Sequence, residues 1–357
     1  MKRICAAILV CLVFAAAAAA GQLPAPELYP GEQELYEKAL TEGMVVSFDT
    51  GPTWANWGAL FKAFEKRYEG ISLVYNDIGS GATVVALEKA RRRPQADTAY
   101  YFAQSAIDAK AKGLVESWAP INFEKLPPAF RDSDKQWFIC HQLVVAFLVN
   151  KKLVKNVPAS WADLLKPEYK NSIVYLDPRS TGQGQVLTFG AAYGNGGSVE
   201  DPLPGVEYLA KLHRAGNIQR VEGTTPYAKF IKGEIPVWIA YEGDGLKAKL
   251  TDGMGDDCAV VIPREASVSA PYAESLVKGG PNPNAGKLWL NFMMSSAGQQ
   301  LFVEGFVRPS VPDVNIPDGM RRHMPDAPQV VPLDIIKSAK VKTLIDEGWT
   351  RLVLGGK

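Results

Sequence analysis

The sequence predicts an α/β protein of two lobes, each a mainly parallel sheet flanked by helices, joined by hinge strands with a cleft between. Three observations carry this. Short β-type runs alternate with amphipathic helical stretches in two successive series. A long apolar run, Trp137–Asn150 (WFICHQLVVAFLVN), separates the series and is too continuous for an ordinary strand. The chain has 357 residues, enough for about two domains.

The first residues read as an export signal. Lys2 and Arg3 precede an apolar run from Ile4 to about Ala20 that ends in small residues. Cleavage is expected near Ala20–Gly21. Loss of Lys2 and Arg3 from 39 basic residues leaves 37 against 38 acidic ones, a net charge of about −1. No basic stripe remains to displace counterions from a nucleic acid. No later stretch is long and apolar enough to span a bilayer. Cys140 and Cys258 remain after cleavage. An even pair in an oxidising compartment is a possible disulfide; two buried free thiols are the rival reading, and spacing leaves both open.

Residues 21–43 form an N-terminal extension. Met44–Phe48, Ile71–Tyr75 and Thr98–Phe102 read as strands. Helical stretches follow them at Trp57–Tyr68, Thr83–Arg92 and Ser105–Lys112, the first with apolar Leu60, Phe61, Phe64 and Tyr68 at helical spacing. After the long run the alternation resumes. Trp161–Leu165 opens a helix capped by Ser160. A strand at Ser172–Leu176 follows, then helices at Gln185–Tyr193, Pro204–Ala215 and Ala228–Ile231, and a strand at Pro236–Tyr241. Cys258–Ile262 and Phe306–Val311 are candidate further crossings. Asn284–Met294 and Ala297–Phe302 read as helices, and the tail carries one helix, Asp334–Glu347. The resulting division is residues 1–20 signal, 21–43 extension, 44–140 and 261–305 first lobe, 141–260 and 306–357 second lobe. Small ligands are usually bound at such inter-domain clefts.

No catalytic motif stands out. His141, His213 and His323 lie far apart without zinc spacing, and neither a nucleophile elbow nor a Walker loop occurs. An enzyme is therefore not expected. Binding features are richer. Gly79-Ser80-Gly81-Ala82-Thr83 and Ser180-Thr181-Gly182-Gln183-Gly184 each follow a strand and open a helix, one in each half. Free N–H groups and the helix dipole there favour an anion; ordinary capping is the bland reading. Tyr241-Glu242-Gly243-Asp244-Gly245 follows the strand Pro236–Tyr241 and suits a loop on the cleft rim. It offers carboxylates for an amine, sugar hydroxyls or a metal; a solvated turn is the alternative. Asp49, Thr50, Trp54 and Trp57 follow the first strand, and either tryptophan is a stacking wall or core. His141 lies in the crossing run and is a candidate for the cleft lining.

Four segments carry a resemblance: FKAFEKRYEGISLVYNDIGSGATVVALEKARRRPQAD, LVNKKLVKNVPASWADLLKPEYKNSIVYLDPRSTGQGQ, KFIKGEIPVWIAYEGDG and GGPNPNAGKLWLNFMMSSAGQQLF. They resemble the extracellular solute-binding proteins of bacterial ABC importers, in the group of ferric, polyamine, thiamine, phosphonate and sugar-phosphate receptors. The resemblance implies a type II periplasmic-binding fold, closure of the lobes on the solute, a periplasmic location, an inner-membrane permease with its ATPase as partner, a monomeric state and no cofactor. The ferric receptors' adjacent tyrosines align with Gly243 and Asp244, so iron is not implied and no metal ligands are assigned. Tyr241 with Asp244 resembles polyamine receptors; Tyr241-Glu242 resembles sugar-phosphate receptors. The expected ligand set is Asp49, Thr50, Trp54, Ser80, Gly81, Ala82, Thr83, Phe102, His141, Ser180, Thr181, Gly182, Gln183, Tyr227, Tyr241, Glu242 and Asp244. The expected solute bears an anion such as phosphate, phosphonate or carboxylate. A polyamine receptor and, in another class, a hydrolase on the same scaffold are the alternatives.

Overall fold

The computed structural model describes residues 21–220 and 226–355, so the expected export signal lies outside the described residues. Eleven strands are present among them: β1 (Met44–Phe48), β2 (Ser72–Asn76), β3 (Thr98–Phe102), β4 (Val115–Glu116), β5 (Phe138–Asn150), β6 (Ile173–Val174), β7 (Val237–Tyr241), β8 (Cys258–Val261), β9 (Ser267–Val277), β10 (Arg308–Pro309) and β11 (Val330–Pro332). They form two sheets that share β5, in the orders β2-β1-β3-β9-β5 and β5-β7-β6. Both sheets are mixed. β1 runs parallel to β2 and β3, and β6 parallel to β7. Antiparallel pairing enters where β5 and β9 cross.

The long apolar run is the shared strand. Residues 138–144 of β5 pair with β9, with a register shift between Ile139 and His141. Residues 145–149 pair with β7 and 147–150 with β8. Twelve of its thirteen residues are buried, which is why the run lacks the alternation of a half-exposed strand. The return strand is β9, SVSAPYAESLV, fully buried but rich in Ser, Ala and Pro, so its composition hid it. The candidate crossing at Cys258–Ile262 instead becomes β8, which stays against the second half of β5. β10, within Phe306–Val311, pairs with His141 and Gln142 of β5.

Helices follow the apolar spacing. Trp57–Arg67 buries Trp57, Leu60, Phe61 and Phe64 on one face. Ser160 does accept from the Asp163 amide (3.0 Å), but the element it opens is a single 3₁₀ turn, Asp163–Leu165. Pro167 forces Lys166 into extended backbone and ends it there. The extension carries a helix, Glu32–Leu40, which packs on Pro283–Met294. Glu32 is fully buried and accepts from Arg67 Nε (2.7 Å), Arg67 Nη2 (2.7 Å) and the Leu28 amide (2.6 Å). The tail holds two helices where one was expected. Ile335–Lys340 packs on Ala103–Ala111, and Lys342–Leu352 packs on Leu203–Arg214.

Both cysteines are free and buried, so the possible disulfide between Cys140 and Cys258 does not form. The two thiols belong to separate apolar clusters. Cys140 Sγ points to the Tyr272 carbonyl (3.5 Å) and Cys258 Sγ to the Gly245 carbonyl (3.6 Å).

Candidate functional site

The carboxyl ends of β1, β2, β3 and β7 converge between the two sheets, the usual location of a ligand crevice in open α/β architectures. A cavity of about 80 Å³ lies there. Its lining includes Asp49, Trp54, Asp77 and Tyr100 from the first sheet's loops and strands, and Thr181, Gly182, Gln183, Trp238, Tyr241, Asp244 and Lys247 from the second. Tyr272 of β9 lies between them.

The first wall is built around Asp49, directly after β1. Its backbone is left-handed (φ 59°). One carboxylate oxygen accepts from the Gly79 amide (2.6 Å), the other from Ser80 Oγ (3.1 Å). Ser80 Oγ in turn accepts from the Phe102 amide (3.0 Å). The ends of β1, β2 and β3 are thus tied by one side chain. Burial pushes the Asp49 carboxyl well above its ordinary range, and the charge of Asp77 adds to this; the two hydrogen bonds oppose it. Asp77 accepts from the Trp54 indole N–H (3.1 Å).

The second wall is the start of the helix Gly182–Gly194 together with the end of β7. Thr181 caps that helix, accepting from the Gly184 amide (3.1 Å) while donating to the Asp177 carbonyl (2.9 Å). Gly182 and Gln183 are its first two residues, so their N–H groups have no intrahelical acceptor. Asp244 is in the first turn of the helix Glu242–Leu250. Burial pushes its carboxyl up to about 7, opposed by the Lys247 charge and the Tyr241 backbone. The Tyr241 and Tyr272 hydroxyls are 2.6 Å apart, and the Tyr272 ring stacks on Tyr100 (5.0 Å, 8°).

Comparison with known proteins decides what this cleft belongs to. Residues 96–339 match the family model described as bacterial extracellular solute-binding protein. The chain belongs to that family. It is 30% identical over 249 residues to a Salmonella typhimurium protein named "Putative 2-aminoethylphosphonate-binding periplasmic protein", covering 67% of this chain and 69% of that one. Its fold is similar to the periplasmic binding protein P5PA (TM-score 0.72, 22% identity, 87% of this chain and 99% of that chain). It is also similar to AfuA from Actinobacillus pleuropneumoniae with fructose-6-phosphate bound (TM-score 0.70, 22% identity, 88% and 99%). The chain is accordingly a two-lobed solute-binding protein of an ABC importer and not an enzyme.

Within this solute-binding protein, Asp49, Trp54, Ser80, Thr181, Gly182, Gln183, Tyr241 and Asp244 of the expected set line the cavity. Others do not. Glu242 turns away to an ion pair with Arg308 (3.0 Å). It and Asp244 sit on a helix where a rim loop was expected. Thr50 and Thr83 spend their hydroxyls on the Ser47 and Gly79 carbonyls. Tyr227 donates to Asp252 (2.7 Å), behind Lys247. His141 is fully buried among Trp57, Tyr100, Tyr272 and Phe302. Its Nε2 is 3.0 Å from the Tyr100 hydroxyl, and burial lowers its pKa to about 3. Trp57 is core, while Trp54 is a wall. Gly81, Ala82, Phe102 and Ser180 frame the cleft without lining the cavity. Gly81 and Phe102 meet the loop 179–182: a Cβ on Gly81 would lie 3.3 Å from the Arg179 carbonyl, and one on Gly182 2.8 Å from Phe102 Cβ.

The cavity is also lined by five residues outside the expected set: Asp77, Tyr100, Trp238, Lys247 and Tyr272. Asp77 was the most accessible, standing just after a strand and two residues before Gly79. Lys247, one helical turn after Asp244, follows once that segment is read as a helix. Tyr272 belongs to the unrecognised β9. Among the described residues, no group of three or more His, Cys, Asp and Glu side chains could hold a metal ion, and no helix could cross a membrane.

Proposed function

We propose that this protein is a periplasmic receptor for a small zwitterion, a solute with an ammonium at one end and a phosphonate, phosphate or carboxylate at the other. Acting as a monomer after removal of residues 1–20, it presents the closed complex to an inner-membrane permease and its ATPase. One observation carries the reading: Asp49, Asp77 and Asp244 line the same cavity as the first residues, Gly182 and Gln183, of the helix Gly182–Gly194. Carboxylates suit an ammonium, and Trp54 and Tyr100 add aromatic faces beside it. The helix start suits an oxyanion. The name of the Salmonella relative, which specifies an aminophosphonate, supports the same class.

The excess of carboxylates over the single lining lysine, Lys247, favours a polyamine as the second reading. Calorimetric titration of the mature chain with 2-aminoethylphosphonate and with putrescine separates the two. Tight binding of the aminophosphonate, at least tenfold stronger than putrescine, is the expected result. Binding of putrescine without binding of the aminophosphonate overturns the zwitterion reading.

A further inference from the structure

The segment that forms the second lobe's side of the cleft is gripped from behind by the C-terminal helix. Leu176, Thr181, Gly182 and Gln183 line the cavity. The same segment meets the first lobe, where a Cβ on Gly79 would lie 2.8 Å from the Ser180 carbonyl and one on Gly81 3.3 Å from the Arg179 carbonyl. It turns around Asp177. The Asp177 carbonyl accepts from the Thr181 amide (3.0 Å) and the Thr181 hydroxyl (2.9 Å), and its carboxylate accepts from Arg179 Nη2 (2.6 Å). Tyr175 and Arg179 flank Asp177 and do not line the cavity. Both are held by Trp349 of the helix Lys342–Leu352. The Arg179 guanidinium carbon is 4.6 Å from the centre of the indole ring. The indole Nε1 donates to the Tyr175 hydroxyl (3.2 Å), across 174 residues of sequence. An indole N–H only donates. The Tyr175 oxygen therefore accepts there, and its own proton is directed to His213 Nε2 (2.7 Å) on the helix Leu203–Arg214. Trp349 is 6% exposed, so the grip is a buried one.

We infer that Trp349 is a positioning residue for solute capture: by holding Tyr175 and Arg179 it fixes the course of the segment Leu176–Gln183, so the C-terminal helix tunes solute affinity without touching the solute. Residues 175–181 belong to no strand or helix. Apart from the turn closed on the Asp177 carbonyl, the segment depends largely on side-chain contacts to keep its place. A binding segment that has to be ordered when the solute arrives loses affinity by the cost of ordering it, and one that is held beforehand does not. Trp349 supplies that hold at both flanks of Asp177, by a hydrogen bond on one side and a stacked guanidinium on the other. The role requires only that the cleft be the solute site, whichever solute it takes.

Three variants of the full mature chain test this. Trp349→Phe keeps a ring face for Arg179 and removes the indole donor. Trp349→Leu removes both. Gly348→Ala is the control: it disturbs the same helix at its other contact, where the new Cβ would lie 3.2 Å from Leu203 and 3.5 Å from Val206. The first readout is amide hydrogen exchange by NMR without solute. The reporters are the amides of Thr181, Gly184 and Gln185, which donate to the Asp177 carbonyl, Thr181 Oγ1 and the Thr181 carbonyl. Trp349→Phe is expected to speed their exchange about fivefold, the equivalent of one neutral hydrogen bond, and Trp349→Leu about tenfold or more. Gly348→Ala should leave all three within about twofold of the parent, whatever its Tm. The second readout is calorimetry with 2-aminoethylphosphonate and putrescine. Whichever binds the parent should weaken in the same order, and Tyr175→Phe should add little to Trp349→Phe because both break one hydrogen bond. Parent-like exchange at the three amides in Trp349→Phe and Trp349→Leu, or equal acceleration in Gly348→Ala, would reduce Trp349 to ordinary helix packing and overturn the positioning role. Trp349→Phe carries the test alone where Trp349→Leu fails to fold. Binding of neither probe by the parent is a different result: it removes both proposed solute classes, and the exchange rates still decide the role of Trp349.

Discussion

Gly79 lies against the Ser180 carbonyl so closely that a Cβ on the glycine would come within 2.8 Å of that oxygen. The two glycine-rich helix starts, one per lobe, are therefore packed on each other. Their glycines serve the approach of the lobes as much as the approach of a ligand. Gly182 makes a second contact of this kind. Its Cβ would meet Phe102 Cβ, Ser80 Oγ and Tyr272 Oη, each at 2.8 Å.

Gly182→Ala is accordingly expected to hold the lobes apart while leaving each folded. Overpacking of this kind costs about 1–3 kcal/mol. The cost falls on the closed state, so solute affinity should drop by about tenfold or more. Small-angle scattering should show the variant staying expanded at solute concentrations that compact the parent, with the unliganded Tm unchanged. An alanine variant that compacts normally would mean the lobes meet differently in solution.

Asp244 makes stability depend on pH in a predictable direction. Its folded pKa, about 7, lies above the ordinary 3.8. Between those values the folded protein keeps a proton that the unfolded chain has lost. The group's contribution is unimpaired below about pH 3.8, falls as pH rises toward 7, and is level above that. Asp244→Asn removes this dependence. The unfolding free-energy difference in the variant's favour, from denaturant titrations, should widen from pH 4 to pH 7 and then stay constant, at no more than about 4 kcal/mol. Asp49, also raised by burial, acts with the same sign but is present in both proteins, so the comparison isolates Asp244.

Glu242 separates structural from ligand roles. Its carboxylate accepts from Arg308 Nη2 (3.0 Å) and Nε (3.3 Å), and the two side chains are 6% and 22% exposed. The pair ties the end of β7 to β10. Removing one member of a buried pair typically costs about 3–5 kcal/mol; Arg308 is partly exposed, so about 2–3 kcal/mol is expected here. Glu242→Gln should lower Tm by several degrees and change solute affinity by less than about twofold. A variant with unchanged Tm and weakened binding would place Glu242 in the cleft after all.

How far the site was legible from sequence depends on which physical signal each part leaves. β5 was readable because burial on every face removes alternation and leaves an apolar run. β9, equally buried, was not: Ser267, Ser269, Ser275 and Glu274 break its apolar character. The sheet accommodates two of them by hydrogen bonds, the Ser267 hydroxyl to the Val145 carbonyl (2.6 Å) and the Ser269 hydroxyl to Gln142 Oε1 (3.1 Å). Asp49, Thr181 and Tyr241 were found because cleft residues stand at strand ends and helix starts. Glu242 and Asp244 could not be told apart, since a loop reading carries no helical phase. On the helix they occupy, residues two apart face different ways, one toward Arg308 and one toward the cavity. Thr83 looked like a ligand hydroxyl because the sequence does not show that the Gly79 carbonyl already engages it.

The free thiols give the last test, and it concerns the sheets rather than the site. Cys140 lies in the part of β5 that pairs with β9, and Cys258 opens β8 against Asn150 at the far end of β5. Ten residues of strand at about 3.3 Å per residue separate Cys140 from Asn150, so the thiols are held roughly 30 Å apart along β5. A disulfide needs Cα atoms within about 7 Å. No rocking of the lobes brings them together while β5 is intact. Residues 21–357, denatured without reductant and alkylated, should therefore carry two adducts by intact mass. Reductant should leave Tm unchanged. Burial raises both thiols, so neither should label in the native protein over the minutes that suffice after denaturation. A mass two hydrogens lighter, with no adducts, would require β5 to be broken between its two sheets.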